Sequence, residues 1–137
     1  MSRILLDTSA YSAMRRGEGR LREPLAQASD VVVTPIILGE LLCGFKKGAR
    51  ETENRRALQQ FLRTPRVKIL QLDAETGERY AAISDYLRRH GTPIPLNDVW
   101  IAASAVQHGL KVLTTDEHFK RIPHVLVEWF DPATASG

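Results

Sequence analysis

Four carboxylates stand where apolar segments give way to polar ones. Asp7 follows Ile4-Leu5-Leu6, Glu40 lies in the apolar run Ile36 to Phe45, Asp98 precedes Val99-Trp100-Ile101-Ala102-Ala103, and Asp116 ends Val112-Leu113-Thr114-Thr115. Taken singly, each has a structural explanation. Converging on one crevice, four like charges would repel one another unless cations compensated them. An all-oxygen donor set with no Cys/His cluster suits a hard divalent ion, Mg²⁺ or Mn²⁺. Zinc is disfavoured, because His90, His108, His118 and His124 lack metal-ligand spacing and none is expected to be a ligand.

Asp7 begins Asp7-Thr8-Ser9 at the end of an expected strand, where open α/β sheets place their ligand crevices; position alone leaves helix capping and ligation both open. Glu40 has Ile36, Ile37, Cys43 and Gly44 as neighbours at helical spacing, so its charge projects from an apolar or small-residue surface and needs a partner, unless it faces solvent beside the stripe. Asp98 falls in the first turn of an alanine-rich helix, where the dipole favours an anion. Asn97 offers an alternative cap that would leave Asp98 for other work. Asp116 repeats the chemistry of Asp7, with Thr114 and Thr115 beside it as Thr8 and Ser9 stand beside Asp7. Such hydroxyls orient carboxylates or hold metal-bound water. Glu117 reads as an exposed acid at a helix start.

These acids need a scaffold. Ile4-Leu5-Leu6 and Val31-Val32-Val33 are short apolar runs that suit strands buried on both faces of a parallel sheet, and Val67 to Leu72, Val112-Leu113 and Val125 to Val127 repeat the pattern. Helical spacing appears in Ile37, Leu41 and Phe45, in Leu58, Phe61 and Leu62, in Tyr80, Ile83 and Leu87, and across Val99 to Val106. Strands alternating with helices imply an α/β fold. Pro35 opens a helix, Gly48 and Gly109 follow helices, Pro65 separates a helix from a strand, and Gly91 to Pro95 is a loop.

At 137 residues the chain fits one domain, taken here as residues 1–133 with a flexible polar tail over 134–137. The lone Cys43 forms no internal disulfide and reads as a small core residue, which makes the cytoplasm the default compartment. No apolar run suits a secretory signal or a membrane span. Nineteen Lys and Arg against sixteen Asp and Glu leave a net charge of +3, a field weakly favourable to polyanions. Arg15, Arg16, Arg20 and Arg22 after the first strand, and Lys46, Lys47 and Arg50 after the Glu40 helix, either guide phosphates or form a solvated face.

The segments Ile4-Leu5-Leu6-Asp7-Thr8-Ser9, Gly39-Glu40-Leu41, Asn97-Asp98 through Ala102-Ala103, and Thr114-Thr115-Asp116-Glu117-His118-Phe119 together resemble PIN-domain nucleases, and more narrowly the VapC toxins of toxin–antitoxin pairs. The resemblance spans nearly the whole chain, and its specificity lies in the ordered set of four acids. It implies a parallel five-stranded sheet ordered 3-2-1-4-5 between helices and a pocket lined by Asp7, Glu40, Asp98 and Asp116. It further implies bound Mg²⁺ or Mn²⁺, endonucleolytic cleavage of RNA, a homodimer, and a VapB-type antitoxin that inserts a segment near the pocket. Thr114 corresponds to the family's hydroxyl before the last acid, and Thr8 or Ser9 to the one after the first. Trp100, Trp129, Phe45 and Phe61 serve either as interface anchors or as core.

Two rivals stand beside this reading. A phosphotransfer domain would also use a strand-end Asp, but Asp7-Thr8-Ser9 lacks the second acid of haloacid-dehalogenase-like phosphatases, and no buried-looking Lys follows a late strand as in receiver domains. A non-catalytic PIN-like module that grips RNA or a partner without cutting it is compatible with the same residues. Nucleotide-binding glycine motifs are absent.

Overall fold

The computed structural model describes residues 2–132, so the tail expected over 134–137 lies outside the described residues. Five parallel strands form one sheet: β1 (Arg3–Leu6), β2 (Asp30–Val33), β3 (Val67–Ile69), β4 (Lys111–Thr114) and β5 (Val127–Trp129), in the order β3-β2-β1-β4-β5. Ile4, Leu5 and Leu6 are consecutive yet all 0% exposed, which requires cover on both faces of the sheet because successive side chains point to opposite sides. Among the described residues six α-helices flank it: α1 (Thr8–Arg15), α2 (Arg22–Gln27), α3 (Pro35–Lys47), α4 (Glu51–Leu62), α5 (Ala74–Arg89) and α6 (Leu96–His108).

Local chemistry accounts for most boundaries. Thr34 accepts a hydrogen bond from the Ile37 amide and Pro35 occupies the first turn of α3. Asp73 and Thr76 form a reciprocal capping box on α5. Gly109 ends α6 at φ 65°, a left-handed conformation that glycine adopts without a Cβ penalty. Within α6, Ala102, Ala103, Ser104 and Ala105 are all buried, and their small side chains let the helix approach its neighbours closely.

Three expectations need correction, and one segment went unread. The chain after β1 forms α1, whose Ala10, Tyr11 and Ala13 are buried, then a 3₁₀ turn at Gly19–Leu21 and the short α2. The third strand stops at Ile69 rather than Leu72, because its only neighbour, β2, ends at Val33; one further bond, from the Leu70 amide to the Val33 carbonyl at 2.9 Å, closes the pairing. The last strand begins at Val127 rather than Val125. Its register against β4 pairs Val112 with Val127, so Val125 packs into the core from the preceding turn and Leu126 is 72% exposed. Cys43 is exposed, because Ile37 and Leu41 carry the buried face of α3 and a residue two positions beyond Leu41 points away from it.

Candidate active site

The chain runs from β1 through β2 to β3 on one side and returns through β4 to β5 on the other, so strand order reverses between β1 and β4. In an open parallel sheet, the carboxyl ends of such neighbours frame the ligand crevice. Register delivers the first two groups to that place. Leu6 pairs with Leu113, and the Asp7 amide donates to the Leu113 carbonyl at 3.2 Å, which sets Asp7 and Thr114 side by side just beyond the ladder.

Asp7 occupies the N-cap position of α1 but makes no side-chain cap hydrogen bond, which resolves the choice between capping and other work. Its Oδ2 instead accepts from the Thr114 hydroxyl at 2.7 Å and the Ser9 hydroxyl at 2.8 Å. Each hydroxyl is held from behind: Ser9 Oγ accepts the Thr115 amide at 3.0 Å and Thr114 Oγ1 accepts the Asp116 amide at 2.9 Å. The two hydroxyls also lie 3.1 Å from each other, so Ser9, Thr114 and Oδ2 form one hydrogen-bonded cluster. Asp7 is 3% exposed. Burial pushes its carboxyl above the ordinary range, the Thr114 and Ser9 hydroxyls and the Thr8 amide pull it back, and the charge of Glu40 raises it again.

Glu40 is half-buried on α3 and gripped at both oxygens. Thr8 Oγ1 donates to Oε1 at 2.6 Å and Asn97 Nδ2 donates to Oε2 at 3.2 Å. Asn97 therefore does not cap α6, whose N-cap is Pro95; it orients Glu40. A cleft of about 520 Å³ opens beside this carboxylate, lined by Gly39, Cys43, Gly44, Lys47 and Asn97 among others.

Asp98, 7% exposed, sits in the first turn of α6. Its carboxyl is pushed up to about 7, first by burial and then by the charges of Asp116 and Asp7, with the hydrogen bond and charge of His118 acting against them. Asp116 caps the 3₁₀ turn Glu117–Arg121 by accepting the His118 amide at 2.9 Å. The His118 ring folds back over it, so that Nδ1 lies 2.8 Å from Asp116 Oδ1 and 3.0 Å from Asp98 Oδ2. Asp98, Asp116 and His118 each offer a ligand atom, all within 4.8 Å of one another.

All four acids thus meet in one electrostatically linked neighbourhood, joined through Thr8, Ser9, Asn97 and Thr114. His118, which was expected to be no ligand, stands beside two of the acids. Spacing could not reveal it, because the contact depends on a 3₁₀ turn packing against α6, with Phe119 anchored in the core at 0% exposure. The other three histidines lie elsewhere: His90 stacks on Tyr86, His124 meets the edge of the same ring, and His108 ends α6. Glu117 is exposed, as expected. Of the cationic residues, Lys47 lines the Glu40 cleft, Arg15 and Arg16 line a separate one with Phe45, and Lys46 is engaged by Glu51 at 3.1 Å. Trp100 stacks on Tyr80 and Phe61 packs edge-on to Tyr11, both only partly buried.

The wiring makes Thr114 a sensitive position. Thr114→Val keeps its shape but removes the donor to Asp7 and leaves the Asp116 amide without its acceptor. The expected cost is about 2 kcal/mol, read as a lowered urea midpoint at unchanged slope.

Comparison with known proteins agrees with this geometry. The family profile described as PIN domain matches residues 4–125. Ribonuclease VapC4 of Mycobacterium tuberculosis is 34% identical over 95 residues, covering 69% of this chain and 73% of that protein. The tRNA(fMet)-specific endonuclease VapC of Salmonella typhimurium is 28% identical, covering 93% and 98%. A crystal structure of DNA-bound VapBC from Salmonella typhimurium superposes with a TM-score of 0.80 at 27% identity, over 93% of this chain and 98% of that one. A parallel sheet with carboxylates collected at its switch point, matched along almost its entire length, places this chain in the PIN-domain family, within its VapC branch.

Proposed function

We propose that the protein is an Mg²⁺- or Mn²⁺-dependent endoribonuclease and the toxin of a VapBC-type pair. The observation that carries this reading is the collection of Asp7, Glu40, Asp98 and Asp116 at the switch point, with Asp7 and Asp98 buried and both carboxyls raised by burial and by neighbouring negative charge. Such a group is costly without a counter-ion, and its donors are those that hard divalent cations take.

Asp7, Glu40 and Asp116 would hold the cation directly or through water, and Asp98 would complete the shell or orient the attacking water. A divalent ion bound there supplies charge neutralisation at the scissile phosphate and a lowered pKa for the attacking water. The chain's own residues hold the ligands in place. Ser9 and Thr114 fix the rotamer of Asp7 by loading Oδ2, while Thr8 and Asn97 clamp Glu40 from opposite sides. Lys47, which lines the cleft beside Glu40, would take a phosphate of the RNA, with Arg15 and Arg16 at a separate cleft and Lys46, paired with Glu51, as further guiding charges.

The relatives' names and complexes support a VapB-type antitoxin as partner, and the family resemblance supports a homodimer and a cytoplasmic site of action. No helix among the described residues is long and apolar enough to cross a membrane. The deciding experiment incubates pure protein with defined RNAs in Mg²⁺, in Mn²⁺ and in chelator. Cleavage that requires the metal supports the nuclease; RNA binding with intact RNA in every lane indicates a non-catalytic module instead.

A further inference from the structure

We propose that His118 supplies a nitrogen ligand to the cation held by Asp98 and Asp116, and that this makes the site favour Mn²⁺ over Mg²⁺. The inference rests on the metal-dependent reading above and adds to it a ligand that the four-acid pattern does not contain.

Geometry is the first support. In an octahedral shell with bonds of about 2.1 Å, adjacent ligand atoms stand about 3.0 Å apart. His118 Nδ1 lies 3.0 Å from Asp98 Oδ2 and 2.8 Å from Asp116 Oδ1, so the ring nitrogen already stands at octahedral-edge distance from both carboxylates. The second support is that the backbone holds the three groups in this arrangement. Asp116 is tied to the His118 amide, Phe119 anchors the 3₁₀ turn in the core, and Asp98 belongs to the first turn of a buried helix. The backbone beneath the ring is therefore fixed, and the partly exposed ring lies against the two acids.

Nδ1 is within hydrogen-bond geometry of Asp98 Oδ2 and also close to Asp116 Oδ1. A cation held here would take the Nδ1 lone pair of the tautomer that carries its proton on Nε2, beside one oxygen each from Asp98 and Asp116. Imidazole nitrogen is a ligand of transition metals, whereas Mg²⁺ keeps oxygen and water around itself. A site with one nitrogen among its oxygens therefore discriminates in favour of Mn²⁺.

The test uses the full chain loaded with Mn²⁺ and read by electron spin-echo envelope modulation, with RNA cleavage assayed in parallel. A ¹⁴N coupling is expected that changes to a ¹⁵N pattern when the histidines are ¹⁵N-labelled and disappears in His118→Ala. Calorimetric titration should show the Mn²⁺-to-Mg²⁺ affinity ratio falling about tenfold in that variant. The labelled wild-type experiment needs no substitution, so a folding defect in the variant leaves the test intact. Mn²⁺ binding and RNA cleavage without a histidine coupling would overturn the ligand role and leave the nuclease reading standing. Failure to bind either ion would overturn both.

Discussion

Replacing Asp7 by asparagine is expected to reduce metal-dependent RNA cleavage on the order of a thousandfold while leaving the protein folded, and in chelator at least as stable as the parent. Asparagine retains one carbonyl oxygen, which can keep the hydrogen bonds from Ser9 and Thr114. The other oxygen becomes an amide that cannot ligate a cation. Losing one charged ligand removes several kcal/mol of transition-state stabilisation, and each 1.4 kcal/mol or so is a tenfold change in rate. Stability moves the other way, because burial raises the Asp7 carboxyl and the neutral amide escapes that cost. Single-turnover cleavage together with thermal melts in chelator and in Mg²⁺ checks both halves. An unchanged cleavage rate in a folded variant would remove Asp7 from the site.

Stabilisation by Mg²⁺ should be small near about pH 5 and large near about pH 8. Asp98 has an ordinary value of 3.8 that rises to about 7 in the folded protein, so between these values the folded chain holds a proton that the unfolded chain has released. Without metal, the contribution of Asp98 to stability is present below about pH 4, falls as pH climbs through that window, and is fully lost above about 7. Asp7 shifts in the same direction and acts with the same sign. A divalent cation binds the deprotonated acids, so its stabilising effect grows over the range in which the metal-free protein weakens. At a hundredfold excess over Kd the gain is about 2.7 kcal/mol. Melting curves with and without Mg²⁺ across this range read the difference. Equal shifts at both ends would mean that the ion is not held by these buried carboxyls.

Much of the site was legible because it sits at element ends. Asp7 after Leu6 and Asp116 after Thr115 are visible as acids that close apolar runs, and Asp98 as an acid opening an alanine-rich helix. Glu40 stood out because nothing polar surrounds it at helical spacing. The roles of the flanking hydroxyls and of Asn97 were less visible, since a side chain that could cap a helix can equally reach across to another element. Asn97 does the latter, 57 residues along the chain from Glu40. Cys43 differs from its expected core position for a related reason: an apolar run does not state which of its members faces inward, and Ile37 and Leu41 take that face.

From sequence alone, the α/β alternation, the four acids and the breaks at Pro35, Gly48, Pro65 and Gly109 could be read, because periodicity, capping and backbone restriction are set by residues only a few positions apart. Tertiary structure decided the rest. Pairing of Leu6 with Leu113 put Thr114 against Asp7, and the packing of a 3₁₀ turn against α6 brought His118 to Asp98 and Asp116. Contacts between residues 20 or 107 positions apart depend on strand register and on how elements pack. No local pattern encodes either of these, so the wiring that holds the acids in place became visible only once the chain was folded.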